Sequence, residues 1–193
     1  MFLAFLLRGA AARLFPWLNR SPKETTVVAD VVVVAPPEPT RRRRAKRHSP
    51  LWQAKNSDPG SRMWCGPTTV SATIGVDIVE VNAVIRRYRN DGSPVRGTTA
   101  NELQVALQHF GYDLRLAADF SANPLPPTFA TWERAQIDMD ACFIVEVTDH
   151  WTAYRGGWFV DSFTRGVPTR AREAPHRRKR VRRVYQVFKR TVA

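Results

Sequence analysis

Met63-Trp64-Cys65-Gly66-Pro67-Thr68-Thr69-Val70-Ser71-Ala72 is the stretch from which the rest of the chain is best read. Its residue types describe a helix opening with a cysteine at the mouth. Pro67 suits a first helical turn, where its missing N–H would have no partner in any case. Gly66 allows close backbone approach to a ligand. Val70 and Ile74 recur at i, i+4, the spacing of a buried helical stripe. A thiol at such a position feels the positive end of the helix dipole and the unpaired first-turn N–H groups, which favour thiolate. The same N–H groups can stabilise an oxyanion, so chemistry with a cysteine nucleophile would start at Cys65.

The chain has 193 residues and a formal net charge of +13, unevenly placed. Residues 1–50 hold ten Lys and Arg against three acids, and residues 170–193 hold ten against one. The stretch between them holds ten against thirteen and is mildly acidic. Nucleic-acid or anionic-membrane contacts would therefore come from the ends. Two cysteines, Cys65 and Cys142, make no disulfide scaffold. Cys142 lies in the apolar run Ala141-Cys142-Phe143-Ile144-Val145 and reads as a small buried hydrophobe. No metal-binding or cofactor motif accompanies them.

Residues 1–20 place Leu3, Leu7, Leu14 and Leu18 near one helical face with arginines interspersed, an amphipathic segment suited to a surface or docking role. Residues 21–50 read as a basic linker, in which Pro36-Pro37-Glu38-Pro39 stops regular structure and Arg41–Arg44 forms a charge run. The body starts near Leu51. Asp77 with Glu80, and Thr99 with Glu102, have capping-box spacing. They open helices whose inward residues are Val81, Val84, Ile85 and Tyr88, and then Leu103, Ala106, Leu107 and Phe110. Gly111 ends the second of these. Tyr112–Leu116 alternates as a strand, Thr128–Gln136 is a short helix holding Phe129 and Trp132, and Val184–Phe188 is a closing strand.

Of the four histidines, His48 falls in the linker, His176 among the C-terminal arginines, and His109 beside Phe110 in the third helix. His150 follows the apolar run Phe143–Val147 and opens a hairpin that leads through Gly156-Gly157 to Asp161. With Arg155-Gly156 as the turn, His150 and Asp161 are direct cross-strand neighbours. With Gly156-Gly157 as the turn, Asp161 faces Thr152 and is diagonal to His150. Either register leaves them on one face. A carboxylate that fixes an imidazole's tautomer is what a thiol nucleophile requires.

Cys65-Gly66-Pro67-Thr68 at a helix start, a strand-borne His150 and a hairpin-linked Asp161 together resemble the papain-like cysteine peptidases. The likeness is greatest to the branch of bacteriocin-leader peptidases and related small bacterial and phage proteins, over roughly residues 51–165. It implies an α+β papain-like fold, with N-terminal helices packed on an antiparallel sheet, in a domain spanning 51–190 that includes the Arg-rich C-terminal segment. It further implies Cys65 as nucleophile, His150 as general base and then acid, and Asp161 as the orienting carboxylate. The branch places an oxyanion-hole Gln six residues before the nucleophile, where this chain has Pro59. Gln53 and Asn56 are the upstream amides that could stand in. The implied activity is hydrolysis of a peptide or isopeptide bond in a protein substrate, in the cytoplasm or at a membrane surface. The rival expectation is a non-enzymatic basic adaptor that binds nucleic acid through its ends.

Overall fold

In a computed structural model, residues 48–136 and 138–191 are described. The expected amphipathic segment, and all of the linker except its last three residues, lie outside them.

Among the described residues, four α-helices and a six-stranded antiparallel sheet make up an α+β fold. The helices are α1 (Cys65–Ile74), α2 (Ile78–Arg89), α3 (Ala100–His109) and α4 (Phe129–Ala135). The strands are β1 (Tyr112–Asp119), β2 (Cys142–Val147), β3 (His150–Arg155), β4 (Trp158–Val160), β5 (Thr169–Arg170) and β6 (Val181–Lys189), in the order β1-β6-β2-β3-β4-β5. The last strand thus lies inside the sheet, next to the edge strand β1 and pairing with it on one side and with β2 on the other. Among the described residues no helix is long and apolar enough to cross a membrane.

Each boundary has a local cause. Asp77 caps α2 by accepting the Val79 N–H at 2.9 Å, and Asn90 closes that helix in the left-handed conformation at φ 54°. Thr99 and Glu102 form the reciprocal box at the start of α3. Arg89 then ties this box to the preceding loop: its guanidinium pairs with Glu102 and donates to the Arg96 and Gly97 carbonyls, each at 3.2 Å. Inward residues follow the expected stripes except Tyr88, which is exposed near the end of α2.

Strand alternation divides the core between the two sheet faces. Phe143, Val145 and Val147 of β2 join Tyr154, Phe159 and Val184 against Phe129 and Trp132 of α4. Ile144 and Trp151 turn the other way and join Val70, Val81, Ile85, Leu103 and Leu107 from the first three helices. Trp151 is locked in place because its indole Nε1–H donates to the Thr98 carbonyl at 2.6 Å. That bond sets the start of β3 against the loop entering α3.

The basic run at 177–180 is built into this framework. Phe129 N–H donates to the Lys179 carbonyl at 2.9 Å, Lys179 Nζ donates to the Thr148 carbonyl at 3.1 Å, and Arg180 donates to the Pro126 carbonyl at 2.8 Å. The segment that reads as a tail in the sequence braces α4 and the β2–β3 turn.

Candidate active site

Cys65 is the first residue of α1, with Trp64 as an extended N-cap that offers no side-chain acceptor. In the opening turn Pro67 has no N–H and Thr68 N–H donates to the Trp64 carbonyl at 3.0 Å, which leaves the Cys65 and Gly66 N–H groups to meet negative charge at the helix mouth. Gly66 is needed for packing: a Cβ there would run into the side chain of Thr98. The close approach anticipated for a ligand is taken up by the protein's own loop, which holds the mouth of α1 beside Trp151.

The β3–β4 hairpin turns at Gly156-Gly157, with Arg155 opposite Trp158 and Ala153 opposite Val160. Both glycines have positive φ, 58° and 82°, as a two-residue hairpin turn with φ > 0 at both positions requires. Of the two readings of the turn, the diagonal one holds. Asp161 lies just past β4, and its Oδ2 accepts from His150 Nε2–H at 3.0 Å. The pair is buried, His150 at 6 % and Asp161 at 1 % exposure. The other carboxylate oxygen, Oδ1, accepts the Thr164 N–H at 2.9 Å, while the Thr164 hydroxyl donates to the Asp161 carbonyl at 3.0 Å. This small turn fixes the carboxylate before it meets the ring.

With Nε2 held by Asp161, Nδ1 is the nitrogen left to meet the thiol, and His150 does hydrogen-bond Cys65. Burial works against charge on Cys65. Hydrogen bonds from His150 and from the Trp151 backbone, attraction to the His150 ring and the Gly66 backbone outweigh it, and the thiol is held below its ordinary value of 9.0. For His150, burial opposes the imidazolium, but the bonds to Asp161 and Cys65 lift the ring from 6.5 to about 8. Each shift favours the charged form of its group, thiolate on Cys65 and imidazolium on His150. Cys142 behaves in the contrary way: burial dominates and pushes its thiol up to about 11.

The upstream amides have other placements. Asn56 Nδ2 donates to the Ser61 carbonyl at 3.1 Å and its Oδ1 accepts the Asp58 N–H at 3.3 Å, so this side chain braces the 56–61 loop. Gln53 is exposed, between Trp52, whose N–H donates to the Ala72 carbonyl, and Ala54, whose N–H donates to the Gly166 carbonyl. The Cys65 N–H at the start of α1 is the donor the architecture offers directly.

Two residues join the site that sequence reasoning did not place there. The ring of His176 lies 4.9 Å from that of His150 and 4.3 Å from that of Phe163, and Phe163 is itself 4.9 Å from His150. His176 is held below its usual value of 6.5, by burial first and then by the neighbouring His150 charge. No local signal marks His176, which sits among arginines and reaches the site only through the long return from β5 to β6. Phe163 carried a weak signal, inside Asp161-Ser162-Phe163-Thr164, where Asp and Thr stand at turn-capping spacing.

No protein-family model matches the chain, and no curated protein matches it.

Proposed function

We propose that the chain is a thiol hydrolase of the papain-like kind that cleaves a peptide or isopeptide bond through an acyl-enzyme. The single observation that carries this reading is the continuous chain of hydrogen bonds from Asp161 to His150 to Cys65, ending at a helix N-terminus. Each link has a chemical purpose. Asp161 keeps a proton on His150 Nε2, so Nδ1 is the atom that exchanges a proton with the sulfur.

In the first half-reaction the Cys65 thiolate attacks the substrate carbonyl carbon, and the carbonyl electron pair moves to oxygen. The resulting oxyanion lies near the α1 mouth, where the Cys65 N–H can donate to it. Collapse of the intermediate breaks the C–N bond, and His150 Nδ1–H gives its proton to the leaving amine. A thioester on Sγ remains. In the second half, neutral Nδ1 takes a proton from water as it attacks the thioester. Cys65 leaves as thiolate, the acid product departs, and His150 is again imidazolium.

A peptide carrying a thiol-reactive warhead tests the reading directly. Cys65 should be labelled one-to-one and Cys142 left unmodified, with His150→Ala slowing labelling about a hundredfold, as loss of a general base does. Labelling at Cys142, or labelling of Cys65 indifferent to His150→Ala, would refute it.

A further inference from the structure

We propose that His150, Asp161 and His176 form a zinc site whose occupation switches the thiol chemistry off. His150 opens β3, Asp161 follows β4, and His176 lies between β5 and β6. One ligand atom from each of these residues lies within 4.8 Å of the other two. His150 Nε2 and Asp161 Oδ2 already stand 3.0 Å apart. Zinc takes N and O ligands at about 2.0–2.2 Å in tetrahedral array, which sets donors roughly 3.3–3.5 Å from one another. Movement of the His176 ring nitrogen by up to about 1.5 Å, with slight opening of the His150–Asp161 bond, reaches that spacing.

The second observation is independent of the cluster's spacing. His176 Nε2 is shielded from solvent and has no hydrogen-bond partner. A buried imidazole nitrogen left unpaired carries a desolvation cost that a hydrogen bond or an ion would remove. No such explanation is required for the other members, whose polar atoms are spoken for. The surroundings also fit a metal site. Thr164 N–H holds the other oxygen of Asp161, and Phe163, 62 % exposed, packs in edge contact with both histidine rings. Ligands oriented in this way from outside bind metal more tightly. Two imidazoles and one carboxylate suit zinc, with water in the fourth position.

The chemical consequence follows from which nitrogen is used. Zinc bound at His150 Nε2 displaces the proton there to solvent and breaks the bond to Asp161. Nδ1 then keeps its own proton facing Cys65, and a ring metallated on one nitrogen and protonated on the other has no site to accept a proton. Binding itself is independent of the hydrolase reading; only the inhibitory consequence rests on it.

The test uses the full-length chain carrying Cys65→Ala, so that no thiolate competes for the ion, titrated with zinc against a chromophoric chelator. One zinc per chain should bind, and His176→Ala should weaken it at least about tenfold. His176→Gln, which keeps a polar side chain, should weaken it as much, while His109→Ala should change nothing. Circular dichroism identifies any variant that has not folded. Absence of binding, or affinity unmoved by both His176 variants, overturns the site. With Cys65 restored, zinc should slow hydrolysis of a short peptide thioester, whose deacylation needs Nδ1 free to take a proton from water, and a chelator should reverse the slowing, judged as the ratio with and without zinc in each variant. If that ratio is the same with His176→Ala, inhibition by this site is overturned. Should Cys65 prove unreactive with no metal present, the hydrolase reading fails while the titration still decides the site.

Discussion

With Oδ1 accepting from Thr164 N–H and Oδ2 from His150 Nε2–H, Asp161 has both oxygens committed, and the proposed chemistry hangs on the second. Asp161→Asn separates the two tasks. The amide oxygen can still accept from Thr164, so the turn is retained. The amide NH₂ then faces His150 and donates to Nε2, which leaves the neutral ring protonated on Nδ1 and unable to take the thiol proton. Turnover should fall roughly a hundredfold, and by less than in Cys65→Ala, because a cysteine supplies some thiolate without help. Asp149 is the control. It sits in the two-residue turn between β2 and β3 at φ 55°, where Val147 pairs with His150. Asp149→Asn should leave turnover within about twofold, since asparagine tolerates the left-handed region as well as aspartate does. Steady-state kinetics of the two variants side by side measure this, and a larger loss from Asp149→Asn would mean the carboxylate has been misassigned.

At the scale of elements, what could be read from the sequence was local. The box at Thr99 and Glu102, the αL closure after Gln108-His109-Phe110 at Gly111, and the Gly156-Gly157 turn each involve residues a few positions apart. Backbone hydrogen bonding and φ preference settle them without the rest of the chain. The same is true of His150 and Asp161, because hairpin pairing is set by counting from the turn. The association of Cys65 with that hairpin spans most of the domain, and it came from chemical expectation rather than from any local rule. Features decided purely by packing were not legible. Gly66 owes its identity to Thr98, thirty-two positions away, and Asn56 turns inward on its own loop. The interior place of β6 depends on two strands pairing with it from either side, which its own alternation does not encode. His176 is the clearest instance: its neighbours in sequence are cationic and exposed, and its neighbours in space are the His150 ring and Phe163.

Across the whole molecule, the charge division acquires a structural sense on one side only. Arg177–Arg180 belongs to the folded body, where three of its four residues donate or accept the hydrogen bonds that hold α4 and neighbouring loops. Its neutralisation would therefore test stability as much as binding. Arg41–Arg44 lies outside the described residues and offers the cleaner experiment. Our proposal for this run is contact with a polyanion, nucleic acid or anionic lipid. Replacing its four arginines by glutamine should weaken binding to duplex DNA or anionic vesicles and flatten its salt dependence. Thiol reactivity at Cys65 should be unchanged. Equal binding with the run neutralised would remove this partner assignment.

The central claim, that Cys65 is an activated nucleophile paired with His150, is most directly tested by iodoacetamide alkylation of both cysteines across pH in chelator-containing buffer, read by mass spectrometry. Around Cys65, burial is opposed by His150 and by the Trp151 and Gly66 backbones, while around Cys142 burial outweighs Arg155 and Thr73. Cys65 has its folded value lowered, so its thiolate should already be abundant below the ordinary 9.0 and should vanish only on further acidification. His150 is raised to about 8, so imidazolium should persist above 6.5 and disappear as pH climbs through about 8. Turnover needs both charges and should decline through that range, whereas alkylation needs only the thiolate and should not. Cys142, pushed up to about 11, should stay unmodified throughout. A Cys65 midpoint at or above 9.0, or faster modification at Cys142, would contradict the account.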